Sequence, residues 1–129
     1  MENLKYQDKI AILRVLTDII MADNIVHDNE AAYMAEVVAE FQLSEDYKQE
    51  VNNMVTLQAL SIIRELEVDQ KEYIAKLMGN MIVIDKDINY NEVKFYNAFC
   101  KSCNINKDFN IEDYPDVTLS GPFVNPEDI

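Results

Sequence analysis

Four carboxylates at a repeated spacing are the side chains of this sequence best suited to chemistry. Asp23 and Glu30 stand seven apart in Ile20-Met21-Ala22-Asp23-Asn24-Ile25-Val26-His27-Asp28-Asn29-Glu30. Sixty-two positions later, Asp85 and Glu92 stand seven apart in Ile82-Val83-Ile84-Asp85-Lys86-Asp87-Ile88-Asn89-Tyr90-Asn91-Glu92. Hard oxygen ligands of this kind suit a divalent cation such as Ca²⁺, Mg²⁺ or Mn²⁺. Asp85-x-Asp87-x-Asn89 even opens like an EF-hand loop. That loop then needs Gly, an aliphatic residue and a bidentate Glu, where this chain has Tyr90, Glu92 and Tyr96, so an EF-hand is excluded.

The same residues have a second physical reading. Asn89-x-x-Glu92 has capping-box spacing, and His27-x-x-Glu30 is a weaker version of it. Val26 and Ile88 then fall where a hydrophobic staple would pin each turn, and Asp23 and Asp85 can accept hydrogen bonds from turn N–H groups. Capping uses only some of the carboxylate oxygens, so a cation site and a helix cap are compatible.

The remaining reactive types point away from catalysis. Cys100-Lys101-Ser102-Cys103 is a C-x-x-C, but a zinc site lacks its other ligands and a redox motif lacks the strand-to-helix context. Both cysteines fall at apolar positions of a helical pattern, which predicts core packing. His27 is the only histidine, and no nucleophile is spaced around it as a triad. Gly79 and Gly121 form no phosphate loop.

The elements that hold these turns read as helices. Ala11, Val15, Ile19 and Ala22 make one stripe over residues 4–22, and Ile12, Leu16 and Ile20 make another, so this helix should be central. Arg14 and Asp18 stand four apart and can pair. A second helix is predicted over 28–41, a third over 45–54 with Ser44 as N-cap, and a fourth from Thr56 to Leu66 carrying Leu57, Leu60, Ile63 and Leu66. Asp69-x-x-Glu72 then caps a helix over about 70–84 whose pattern repeats the first. Phe95, Tyr96, Phe99, Cys100 and Cys103 repeat Tyr33, Met34, Val37, Val38 and Phe41. A last short helix is predicted over 110–113.

Two copies are too few for a solenoid. The expectation is therefore an all-α single domain of about seven helices over 1–113, built as two pseudo-two-fold related halves, about 7–47 and 69–109. Residues 114–129, with Pro115, Pro122 and Pro126, read as an extended tail in which Leu119, Phe123 and Val124 offer docking side chains.

Composition bounds the partners. The 129-residue chain carries 24 acidic and 11 basic side chains, a formal net charge of −13. Such a surface repels phosphate backbones and anionic lipids, and suits cations or basic proteins. The sequence has no apolar run long enough to span a bilayer and opens on no signal peptide, so a cytoplasmic protein is expected.

Ala22-Asp23-Asn24-Ile25-Val26-x-x-x-Glu30, ending a helix of the form Leu13-x-x-Leu16-x-x-Ile19-Ile20, resembles the turn of TerB-like domains, the tellurite-resistance B family. Asp85-Lys86-Asp87-Ile88-x-x-x-Glu92 is the second match, and the resemblance spans about residues 7–109. It implies an internally duplicated helical fold, no established enzymatic activity, and an acidic face proposed to bind divalent cations. Carried over, the acidic positions are Asp23, Glu30, Asp85 and Glu92. The family glycine is Asn24 in one turn and Lys86 in the other, which favours the first pair. Two functions follow as expectations. One is a non-enzymatic module binding a divalent cation weakly, a partner protein, or both, in a stress or tellurite-resistance setting. The other is a purely structural interaction adaptor with no metal site.

Overall fold

The first helix has almost no polar side: Ile10, Ala11, Ile12, Leu13, Val15, Leu16, Ile19 and Ile20 are all buried. A helix apolar on most of its circumference has to be covered from several directions. This one, α1 (Tyr6–Ile20), touches α2 (Asp28–Phe41), α3 (Tyr47–Asn53), α4 (Thr56–Arg64), α5 (Val68–Val83) and α6 (Tyr90–Ser102). The computed structural model describes residues 3–23, 26–84, 87–113 and 118–119. Among them the fold is all-α, with six α-helices around one continuous core. The seventh expected helix, over 110–113, is the single 3-10 turn Ile111–Asp113, and a second such turn, Met21–Asp23, follows α1. β1 (Asp87–Ile88) and β2 (Thr118–Leu119) form a two-residue parallel bridge, with Ile88 opposite Leu119. No helix among the described residues is long and apolar enough to cross a membrane.

A polar seam fastens α1 to its neighbours. Arg14 pairs with Asp18 at 3.2 Å, as their spacing predicts. Arg14 Nη1 also donates to the Val51 carbonyl of α3 at 3.5 Å, and Thr56 Oγ1 of α4 donates to Asp18 Oδ2 at 2.7 Å. Thr56 opens α4, as expected, with Val55 at the N-cap. The Thr56 hydroxyl reaches across to the neighbouring helix.

Other boundaries shift for local reasons. Asp46 rather than Ser44 precedes α3, and the Ser44 carbonyl accepts the Tyr47 N–H at 3.2 Å. Glu67 rather than Asp69 is the N-cap of α5, because Gln70 Oε1 reaches back to the Glu67 N–H at 3.0 Å. Leu57, expected in the core, is 78% exposed. The inward face of α4 is set by Ala59 and Ile63, one turn apart, and a residue two positions before Ala59 points about 200° away from it. Ile88 is buried as a staple residue would be, but Val26 is 54% exposed, so the first turn has none.

The repeat read from residue types recurs in the backbone. Helices α1 and α5 begin at residues 6 and 68, and α2 and α6 at 28 and 90, an offset of 62 in both cases. Gln42 just beyond α2 and Asn104 just beyond α6, again 62 apart, both have left-handed backbones, with φ of 56° and 60°. A left-handed residue frees the chain from the helix while satisfying its last carbonyls, and Asn tolerates it better than Gln. Replacing Gln42 by Gly should therefore raise the stability of the protein by about 0.5–1 kcal/mol, the relief of left-handed strain less the added freedom of the unfolded chain. Gln42→Val should lower it. Urea midpoints of the two variants at constant m-value provide the check.

Candidate functional site

Among the described residues the buried polar side chains are Asp8, Glu30, Gln70 and Glu92, at 9%, 2%, 6% and 3% exposure. Each is the third residue of a helix: α1, α2, α5 and α6 respectively. The first turn of a helix leaves N–H groups without intrahelical partners, and an acceptor at this position can reach back to them. Asp8 Oδ2 accepts the Lys5 N–H at 2.9 Å, Glu30 Oε1 the His27 N–H at 3.0 Å, and Gln70 Oε1 the Glu67 N–H at 3.0 Å. In α6 the N-cap supplies an acceptor too, Asn89 Oδ1 taking the Asn91 N–H at 2.8 Å.

This geometry relocates two of the four expected site residues. Glu30 and Glu92 were expected on an acidic face; both are buried, each on the inward side of a first turn that also holds exposed residues, Asp28 and Asn29 in α2 and Asn91 in α6. Asp23 closes the 3-10 turn Met21–Asp23, which lies against α6. Asp85 lies outside the described residues, as do Asn24, Lys86 and the tail positions Phe123 and Val124. Among the described residues, no three His, Cys, Asp or Glu side chains come together as a metal-ligating group.

The other reactive residues are spent on structure. Cys100 and Cys103 are fully buried and unpaired, and burial pushes both thiols up to about 11. They therefore stay protonated near neutrality, and the Cys103 thiol donates to the Leu60 carbonyl at 3.7 Å. His27 is the N-cap of α2. Burial also raises the hydroxyls of Tyr33 and Tyr73, Tyr33 receiving a hydrogen bond from Asn80 Nδ2 at 3.2 Å.

A concavity that residue types did not announce lies between α5, α6 and the segment 107–113. It measures about 640 Å³, within the range of ligand pockets. Tyr73, Ala75, Tyr96 and Phe109 line it, beneath charged side chains from α5 and the segment. Phe109 meets Tyr96 edge to face, with centroids 5.6 Å apart and planes at 79°. Its N–H donates to Asn97 Oδ1 at 2.8 Å, which anchors the segment on α6. Past Phe109 the sequence repeats one triplet at the offset of 62, Val117-Thr118-Leu119 after Val55-Thr56-Leu57.

The capping role of Glu30 has a direct consequence. Glu30→Ala should destabilise the protein by about 1–2 kcal/mol, since it leaves the first turn of α2 without its acceptor and opens a small void. Glu30→Gln keeps an oxygen in place and should cost less than half as much. Chemical denaturation of the three proteins at neutral pH measures the difference.

No protein-family model matches the chain, and no curated sequence matches it. Its structure is similar to the crystal structure of a protein of unknown function from Porphyromonas gingivalis W83. The TM-score is 0.71 at 21% identity, over 84% of this chain and 93% of that one. At this identity the likeness shows a shared fold and nothing further.

Proposed function

We propose that the chain is a non-enzymatic, TerB-like helical module that holds a basic partner protein against its acidic surface. The helix starts, caps and left-handed exits that recur 62 residues apart support the two pseudo-two-fold related halves which that resemblance implies. In this proposal the module's setting is the cytoplasm, under tellurite or other stress.

One observation carries the proposal. The few carboxylates taken inside are first-turn helix residues, whereas Glu36, Glu40, Glu65, Asp69, Glu72 and Asp108 stand exposed on a chain of net charge −13. Val55, Leu57 and Val68 are also 62–78% exposed, apolar area that a partner covers in addition to the electrostatic attraction. The thiols held in the core and the histidine used as an N-cap support a role without catalysis. On an array of random peptides the protein should retain a set enriched in Lys and Arg, and raising NaCl should release it. A retained set with no basic enrichment would sink this reading.

A second reading keeps a divalent cation at the first turn. Its support is that one short connection carries both carboxylates, Asp23 at the end of the 3-10 turn and Glu30 in the first turn of α2. Calorimetric titration with CaCl₂, MgCl₂ and MnCl₂ should then give a binding heat that Asp23→Asn with Glu30→Gln abolishes. An adaptor without a metal site gives no heat and no change in melting temperature with any of the three salts.

A further inference from the structure

The two halves of the chain carry the same concavity in different states. The cleft between α5, α6 and segment 107–113 includes Ala75, Tyr96, Phe109, Asn110 and Asp113 in its lining. Sixty-two positions earlier stand Leu13, Met34, Tyr47, Lys48 and Val51, and all five line a smaller concavity between α1, α2 and α3. The first measures about 640 Å³ and the second about 250 Å³. Two replacements go with the difference. Ala75 stands where the first half has the larger Leu13. After Phe109 the chain makes only the 3-10 turn Ile111–Asp113, so exposed Asp113 occupies the place where α3 lays Val51, 5% exposed, against the core.

The opened cleft has a definite chemistry. Its floor is aromatic: Tyr96 is 7% exposed and holds Phe109 edge to face, with Tyr73 beside them. Its outer wall is fixed before any ligand arrives, through the Asn97 bond to Phe109 and the Asp113 N–H donated to the Asn110 carbonyl at 3.1 Å. Around it stand four carboxylates, Asp69, Glu72, Asp108 and Asp113, against two ammonium groups, Lys76 and Lys107. Anions and phosphate backbones are disfavoured at such a rim. A planar cation is favoured, since a guanidinium stacks on aromatic rings while its N–H groups donate to carboxylates in pairs.

We propose that this cleft receives an arginine side chain presented by a basic peptide segment of a partner protein. The inference rests on the basic-partner reading and gives it an address away from the two turns. The chain's own residues 115–129 lack the matching charge, with Asp116, Glu127 and Asp128 and no Lys or Arg. A second copy is no better matched, since it brings a further charge of −13.

The test is fluorescence anisotropy with a labelled peptide of sequence Ala-Arg-Ala-Ala-Arg-Ala. Glu72→Lys with Asp113→Lys reverses two exposed charges at the cleft, and Glu36→Lys with Glu45→Lys makes the same change in net charge elsewhere. The cleft pair should weaken binding about tenfold or more, and the remote pair by less than about threefold. Ala75→Leu, which restores the first-half residue, should weaken binding with no change of charge. If that variant fails to fold by circular dichroism, the exposed charge pairs still decide the matter. Equal losses in the two pairs would overturn the cleft and leave the basic-partner reading standing. Absence of binding to the unaltered protein would also overturn the cleft, and the peptide array then judges the wider reading by itself.

Discussion

Four of the six helices begin with a polar side chain buried in their first turn, and much of the architecture follows from that constraint. A helix start leaves several N–H groups without partners, and one such group shut away from water costs about 1–3 kcal/mol. At α1, α2 and α5 an acceptor at the third position reaches back to the N-cap N–H, and at α6 Asn89 accepts from Asn91. These bonds let the third residue of each helix turn inward while others in the same first turn, such as Gln7, Asn29, Asp69 and Asn91, stay exposed. Asp8 and Gln70, and Glu30 and Glu92, stand at the same 62-residue interval, each at the third position of its helix.

Around these starts α1 acts as the hub, and its one polar edge is where the two halves differ most. In the first half Arg14, Asp18 and Thr56 join α1 to α3 and α4 through a charged pair and a short hydroxyl bond. In the second half the counterparts of Arg14 and Asp18 are Lys76 and Asn80. Asn80 donates to Tyr33 of α2. A neutral bond to the opposite half thus replaces an ionic clasp within the same half.

Residue patterns revealed what depends on periodicity and little of what depends on partners. The double stripe of α1 announced a helix covered on several sides, and the bounds of α2 were readable as 28–41 because Phe41 ends its apolar face. The cysteines matched apolar positions and lie in the core. The spacing around Glu30 allowed a cap and a cation alike; the cap is made, His27 N–H donating to Glu30, while the burial of Glu30 and Glu92 was not legible in spacing. Glu67 escaped notice as an N-cap because its side chain is a poor cap; what makes it one is the oxygen of Gln70, three residues on. Leu57 was misread because a single leucine two positions off the inward face satisfies a loose helical pattern.

The divergence between the halves has its clearest mark in a repeated triplet. Val55-Thr56-Leu57 starts α4, with Thr56 bound to Asp18. In Val117-Thr118-Leu119, the last two residues pair as β2 with β1, the strand that leads into α6. Asn80, in the place of Asp18, offers an amide rather than a carboxylate to a hydroxyl, and a charged acceptor holds such a donor more strongly. Ala75 and Leu13 are equally covered, each 1% exposed, and what differs is the room beside them, about 640 Å³ against about 250 Å³. The larger concavity goes with the smaller side chain of Ala75 in place of Leu13 and with the 3-10 turn Ile111–Asp113 in place of α3.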